Sequence, residues 1–132
     1  MMKTFSIGGI HPSDKKISKD CKIEVLPLPS KVFVSMAQHL GAPATPVVKA
    51  GDIVKVGQVI AEPAGFISAF VHSPVSGTVK SVGPRKDLAG NNMVHVEIDV
   101  EGDEWAESID ISSEIITSIP EDNKAILDKI KM

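Results

Sequence analysis

VVKAGDIVKVGQVIAEP, residues 47–63, packs three β-branched runs into one short stretch: Val47-Val48, Ile53-Val54 and Val59-Ile60. Ala50-Gly51-Asp52 and Val56-Gly57-Gln58 lie between them. Runs this short, punctuated by glycine, predict brief strands joined by tight turns, as in a small β-barrel or sandwich. Glycine suits such turns because it adopts positive φ, and lets another strand pass close, at no steric cost.

The flanks extend the pattern. Downstream, FISAFVHSP (66–74) predicts a strand, and SPVSGTVKSVG (73–83) a turn followed by another. MVHVEIDV (93–100) alternates most cleanly, with Val94, Val96, Ile98 and Val100 on one side and His95, Glu97 and Asp99 on the other. Upstream, KVFVSM (31–36) sets Val32, Val34 and Met36 against Phe33 and Ser35, again a strand period. In KIEVLPLP (22–29), Ile23, Val25 and Leu26 predict a strand stopped by Pro27 and Pro29. Residues 1–20 read as an irregular arm with one short strand over Thr4–Ile7.

Beyond Glu101 the stretch EGDEWAESIDISSE (101–114) is acidic and weakly patterned, a tether expected to rest on the surface through Trp105. The last segment, SIPEDNKAILDKIKM (118–132), predicts the start of a helix. Pro120 fits its first turn, Glu121 and Asp122 complement its positive end, and Lys129 and Lys131 its negative end. Ile126, Leu127 and Ile130 form an apolar stripe with little to cover it, and no cap precedes Met132. The expectation is an N-terminal piece of a longer polypeptide. It divides into an arm with strands packing on the barrel (1–46), the barrel core (47–100) and an acidic tether leading into a helix (101–132).

The 132 residues suffice for one core, and 42% hydrophobic with 23% charged residues describes a globular protein. A net charge of −3 argues against a nucleic-acid surface, and the scarcity of aromatics against a base-stacking platform. Cys21 is the single cysteine, so neither an internal disulfide nor a CxxC metal pair can form. No apolar run reaches membrane-span length, and MMKTFSIGG lacks a signal-peptide core. The expectation is a cytosolic chain, or a cytosol-facing part of something larger, with no direct membrane insertion.

Few residues suggest chemistry. His11, His39, His72 and His95 are scattered, none paired at metal-ligand spacing, and His95 reads as a solvated strand residue. His72-Ser73 invites a nucleophile reading, but neighbours in a strand point to opposite faces and no G-x-S-x-G elbow surrounds them. Pro74 and Gly77 instead bracket a turn that Ser73 and Ser76 can cap. Gly8-Gly9 opens no visible helix, and no phosphate-binding loop occurs. No catalytic, cofactor-binding or metal residue is expected. PAGFISAF (63–70) leaves two readings open: Phe66 and Ile67 fold back into the core, or they stand near a hairpin tip and, with Phe70, form a docking knob for a partner domain.

GDIVKVGQVI (51–60) followed by SPVSGTV (73–79) resembles the paired half-motifs of biotinyl/lipoyl carrier domains. That resemblance implies a mainly β, barrel-sandwich hybrid fold, with a hairpin between the motifs presenting the lysine that is modified. Here no lysine occurs between Lys55 and Lys80, and the carrier position falls near Phe66–Ser68. A longer resemblance runs through FSIGGIHP (5–12), LPLP (26–29), QHLGAP (38–43), GDIVKVGQVI and VHSPVSGTV (71–79). In that order they are similar to the N-terminus of the C subunit of the Rnf electron-transport complex.

This second resemblance implies a non-catalytic structural or docking domain with a short C-terminal helix. The whole protein would carry FMN, NADH-binding and two 4Fe-4S clusters downstream. Its partners would be those flavin and iron–sulfur domains and the other subunits of an ion-translocating NADH:ferredoxin complex. It would sit peripherally on the cytoplasmic side of the inner or plasma membrane. The alternatives are a carrier or adaptor domain lacking its acceptor lysine, and a histidine phosphocarrier using His72.

Overall fold

The computed structural model describes residues 15–87, 89–115, 117–118 and 122–131. The strand expected over Thr4–Ile7, the FSIGGIHP motif with His11, and Pro120, Glu121 and Met132 lie outside the described residues. The elements are β1 (Lys31–Ser35), β2 (Thr45–Pro46), β3 (Ile53–Val54), β4 (Val59–Glu62), β5 (Val71–His72), β6 (Ser76–Lys86), β7 (Asn92–Gly102) and α1 (Asn123–Lys131). They form a four-stranded sheet in the order β1-β7-β6-β3 and a three-stranded sheet in the order β2-β4-β5. Every pairing between these named strands is antiparallel. The mainly β architecture expected from the glycine-punctuated runs is what the chain adopts.

The alternating sequences become the central strands because their inward residues have a core to fill. In β7, Val96 and Ile98 are fully buried, as are Met36 after β1, Val54 in β3 and Ile60 in β4. Val34, Ala44, Ala61, Val71, Val75 and Val79 complete this cluster. Burying one such aliphatic side chain is worth about 1.5–3 kcal/mol. The solvent face of the same sheet is polar. Lys31 Nζ lies 2.8 Å from a Glu97 oxygen, the Ser81 hydroxyl donates to Glu97 at 2.8 Å, and Arg85 stacks over the Phe33 ring at 3.6 Å. His95 is half-buried on this face with Nδ1 2.8 Å from the Met93 carbonyl, so it is not the freely solvated residue expected.

Two glycines show why the motif stretches need that residue. Gly77 lies where β6 runs against β7, and a Cβ there would collide with the Asp99 carbonyl oxygen. Gly57 has φ of +80°, and its bare face accepts the Ile109 side chain, with Cγ1 2.7 Å from where a Cβ would stand.

Several expectations are corrected. Ile23, Val25 and Leu26 form no strand and are 100%, 93% and 84% exposed. Backbone groups need a neighbouring strand, and none runs beside them among the described residues. Val47-Val48 falls just outside β2, although Val47 N–H still donates to Ile60 O at 3.0 Å. In FISAFVHSP only Val71–His72 is strand. The tether is fastened through its backbone, where Val56 N–H donates to Glu104 O and Ala106 N–H to Val56 O, each at 2.9 Å, and the Trp105 side chain is 48% exposed. The helix begins at Asn123, where Asp122 Oδ1 accepts from Lys124 N–H at 3.1 Å as an N-cap. Leu127 and Ile130 on it are exposed, as expected of the uncovered stripe.

Candidate functional site: the loop between β4 and β5

The carrier-like position is the loop 63–70, which leaves β4 at Glu62 and enters β5 at Val71. Pro63 and Gly65 turn the chain out of the sheet, and the loop's apolar side chains divide. Phe66 is 104% exposed and Ile67 62%, while Phe70 is half-buried beside the sheet. The core reading of Phe66 and Ile67 is therefore wrong. The Ile67 carbonyl accepts from Ala42 N–H at 3.0 Å on a neighbouring segment, while both side chains face solvent. A shallow cavity of about 700 Å³ lies alongside, lined by Glu62, Pro63, Gly65, Phe66, Ser68, Phe70 and Asp128.

The loop offers no amine. A carrier forms an amide through a primary amine at the hairpin tip, and the tip residue here is a phenylalanine. The nearest lysines in sequence are engaged or remote. Lys55 pairs with Glu104 at 2.8 Å at the tether, and its pKa is raised first by that hydrogen bond. Lys80 stands on β6 within 3.9 Å of Glu97.

The His72-Ser73 pair is separated as strand geometry requires. His72 is half-buried in β5 opposite Val59. Ser73 is buried, and its hydroxyl donates to Val75 O at 2.7 Å, capping the turn as its sequence position suggests. Ser76 does something the sequence does not announce: its hydroxyl accepts from Glu104 N–H at 3.0 Å, tying the tether to β6. His39, one of the scattered histidines, comes against the loop, where its Nε2 faces Ala69 N–H at 3.2 Å.

The cofactors implied for the longer protein do not fit these residues. A four-iron cluster is held by cysteine thiolates, and the one cysteine, Cys21, is exposed on the arm. Among the described residues no group of three or more His, Cys, Asp or Glu side chains gathers as a metal site. The described helix starts at an aspartate cap and not at a glycine-rich loop suited to a flavin phosphate. No helix among the described residues is long and apolar enough to cross a membrane.

Comparison with known proteins matches residues 3–103 to the RnfC barrel sandwich hybrid domain. The chain is similar to the C subunit of the proton-translocating ferredoxin:NAD(+) oxidoreductase complex of Clostridium ljungdahlii, 42% identical over 114 residues, covering 85% of this chain and 25% of that protein. It is 45% identical over 84 residues to the C subunit of the ion-translocating oxidoreductase complex of Rhodobacter capsulatus, covering 62% of this chain and 16% of that one. With the C subunit of the Na(+)-translocating ferredoxin:NAD(+) oxidoreductase complex of Acetobacterium woodii it shares 42% over 96 residues, covering 72% and 22% respectively. The chain thus spans a quarter or less of the length of these curated relatives. With the motif order, the sheets and the matched span in agreement, the chain belongs to the RnfC barrel sandwich hybrid domain family.

Proposed function

We propose that this chain is the non-catalytic N-terminal docking domain of the C subunit in a membrane-associated, ion-translocating NADH:ferredoxin complex. The observation that carries the reading is Phe66, fully exposed at the tip of a lysine-free loop where carriers place their acceptor. An aromatic held in water with Ile67 beside it is a costly surface unless a partner covers it. In this reading residues 1–46 supply the arm and strands that pack on the barrel, 47–100 its core and 101–132 a tether toward downstream domains. Those domains carry the FMN, the NADH site and the two 4Fe-4S clusters. The whole protein sits peripherally on the cytoplasmic side of the membrane, and the loop meets either the downstream domains or another subunit.

The test is co-purification of the complex, from membranes of the native host, with Phe66→Asp introduced into this domain of the full-length protein. The expected result is a folded variant recovered with less of its complex. Full recovery of the complex would remove the docking role. Micromolar binding of FMN or NADH by the 132-residue chain alone would remove the non-catalytic one.

A further inference from the structure

One segment holds the displaying loop at several points: QHLGAP, residues 38–43, between β1 and β2. Ala42 N–H donates to Ile67 O at 3.0 Å, and the Ser68 hydroxyl donates to Ala42 O at 2.8 Å. The same hydroxyl accepts from Ala64 N–H at 3.2 Å, so Ser68 ties both sides of the turn to the segment. Gly41 has φ of +92°, and a Cβ there would run into the Ile67 carbonyl. His39 completes the set through Ala69 N–H.

The histidine contact fixes a tautomer. A ring nitrogen that faces an N–H donor must present its lone pair, so Nε2 of His39 is the acceptor. The proton is then on Nδ1, which donates to Leu40 O at 3.0 Å. Both nitrogens of the neutral ring are used.

Resting on the docking reading above, we infer that Gln38–Pro43 is a clamp that fixes the 63–70 loop in its displaying conformation, with His39 as the positioning residue. A loop ordered in advance loses less conformational freedom when its aromatic is covered. A swinging carrier arm needs the opposite property, a mobile tip. The clamp therefore sets the kind of contact this face can make: a rigid, preformed knob.

The experiment follows amide hydrogen exchange by NMR on the chain, and co-purification of the complex, for His39→Ala and His39→Gln. The glutamine carbonyl can replace Nε2 as acceptor. His39→Ala is expected to raise exchange at Ala69 and Ala42 about fivefold to tenfold, the scale of one net hydrogen bond. Exchange at Val96 and Ile98 stays as in the wild type, recovery of the complex falls, and His39→Gln restores both. Unchanged exchange at Ala69 overturns the clamp, as does a rise that spreads to Val96 and Ile98, which would make His39 a general structural residue. Looser exchange with undiminished recovery overturns the positioning role, and so does a failure of His39→Gln to restore it. If Phe66→Asp leaves association intact, the docking reading fails and the positioning role with it. If Phe66→Asp weakens association while His39→Ala changes nothing, the clamp alone fails.

Discussion

MVHVEIDV in β7 and PAGFISAF after β4 are equally apolar to the eye, yet their side chains meet opposite fates. In β7 the backbone pairs with β1 on one side and β6 on the other, so alternate residues must point into the core. Val96 and Ile98 vanish from the surface. In the loop, the Ile67 carbonyl and Ala69 amide bond to the 38–43 segment instead of a strand, and Phe66 is left outside. The backbone's partners, more than the hydrophobicity of the side chains, decide which apolar residues are core and which are available for contact.

The hardest blow to that contrast would come from Ile98→Ala. Emptying a fully buried position in a central strand is expected to cost about 2–5 kcal/mol in urea denaturation. A cost near zero would show that β7 does not carry the core. Next comes Gly77→Ala, which forces a methyl group against the Asp99 carbonyl and within 3.2 Å of Glu101 N. About 1–3 kcal/mol of overpacking is expected, and wild-type stability would mean β6 and β7 can separate without penalty.

A smaller effect belongs to the polar face of the same sheet. The Glu97 carboxyl is held below its ordinary range, first by the Lys31 hydrogen bond and then by the Ser81 hydroxyl. A depressed carboxylate stabilises the fold above its unfolded value, and that contribution is lost as pH falls through the lowered folded value. Glu97→Gln should therefore be slightly less stable than wild type at neutral pH, with the gap closing on acidification. A gap that does not change with pH would contradict the ion pair's role. Smallest of all is the effect of Phe66→Asp on stability, expected to stay within about 0.5 kcal/mol of wild type because the ring contacts solvent. If that substitution unfolds the chain, the two regions are not different in kind.

Much of the β architecture is legible in the sequence because half-buried strands leave a period of two, as in Val32, Val34 and Met36 or Val96 and Ile98. The glycine positions of GDIVKVGQVI and VHSPVSGTV are legible for a similar reason, since Gly57 and Gly77 stand where a side chain would collide. What escapes the sequence is whatever depends on a neighbour. Ile23, Val25 and Leu26 have strand composition but no strand beside them among the described residues. FISAFVHSP has it too, but its Ile67 carbonyl and Ala69 amide bond to the 38–43 segment and not to a strand. The candidate site is half legible. The absent lysine can be read directly, whereas His39 lies 30 residues from Ala69 and only folding brings them together. Nothing in the pattern of QHLGAP marks that contact.

If Phe66 is the docking residue, a partner must cover it once the complex is assembled. A photo-crosslinking phenylalanine analogue placed at position 66 of the full-length protein, irradiated in the intact complex, decides the matter. The expected result is a specific crosslink from position 66 to a downstream domain or a neighbouring subunit, absent when the same probe replaces Ile53 on the edge strand β3. An assembled complex that yields no crosslink from position 66 would contradict the docking role.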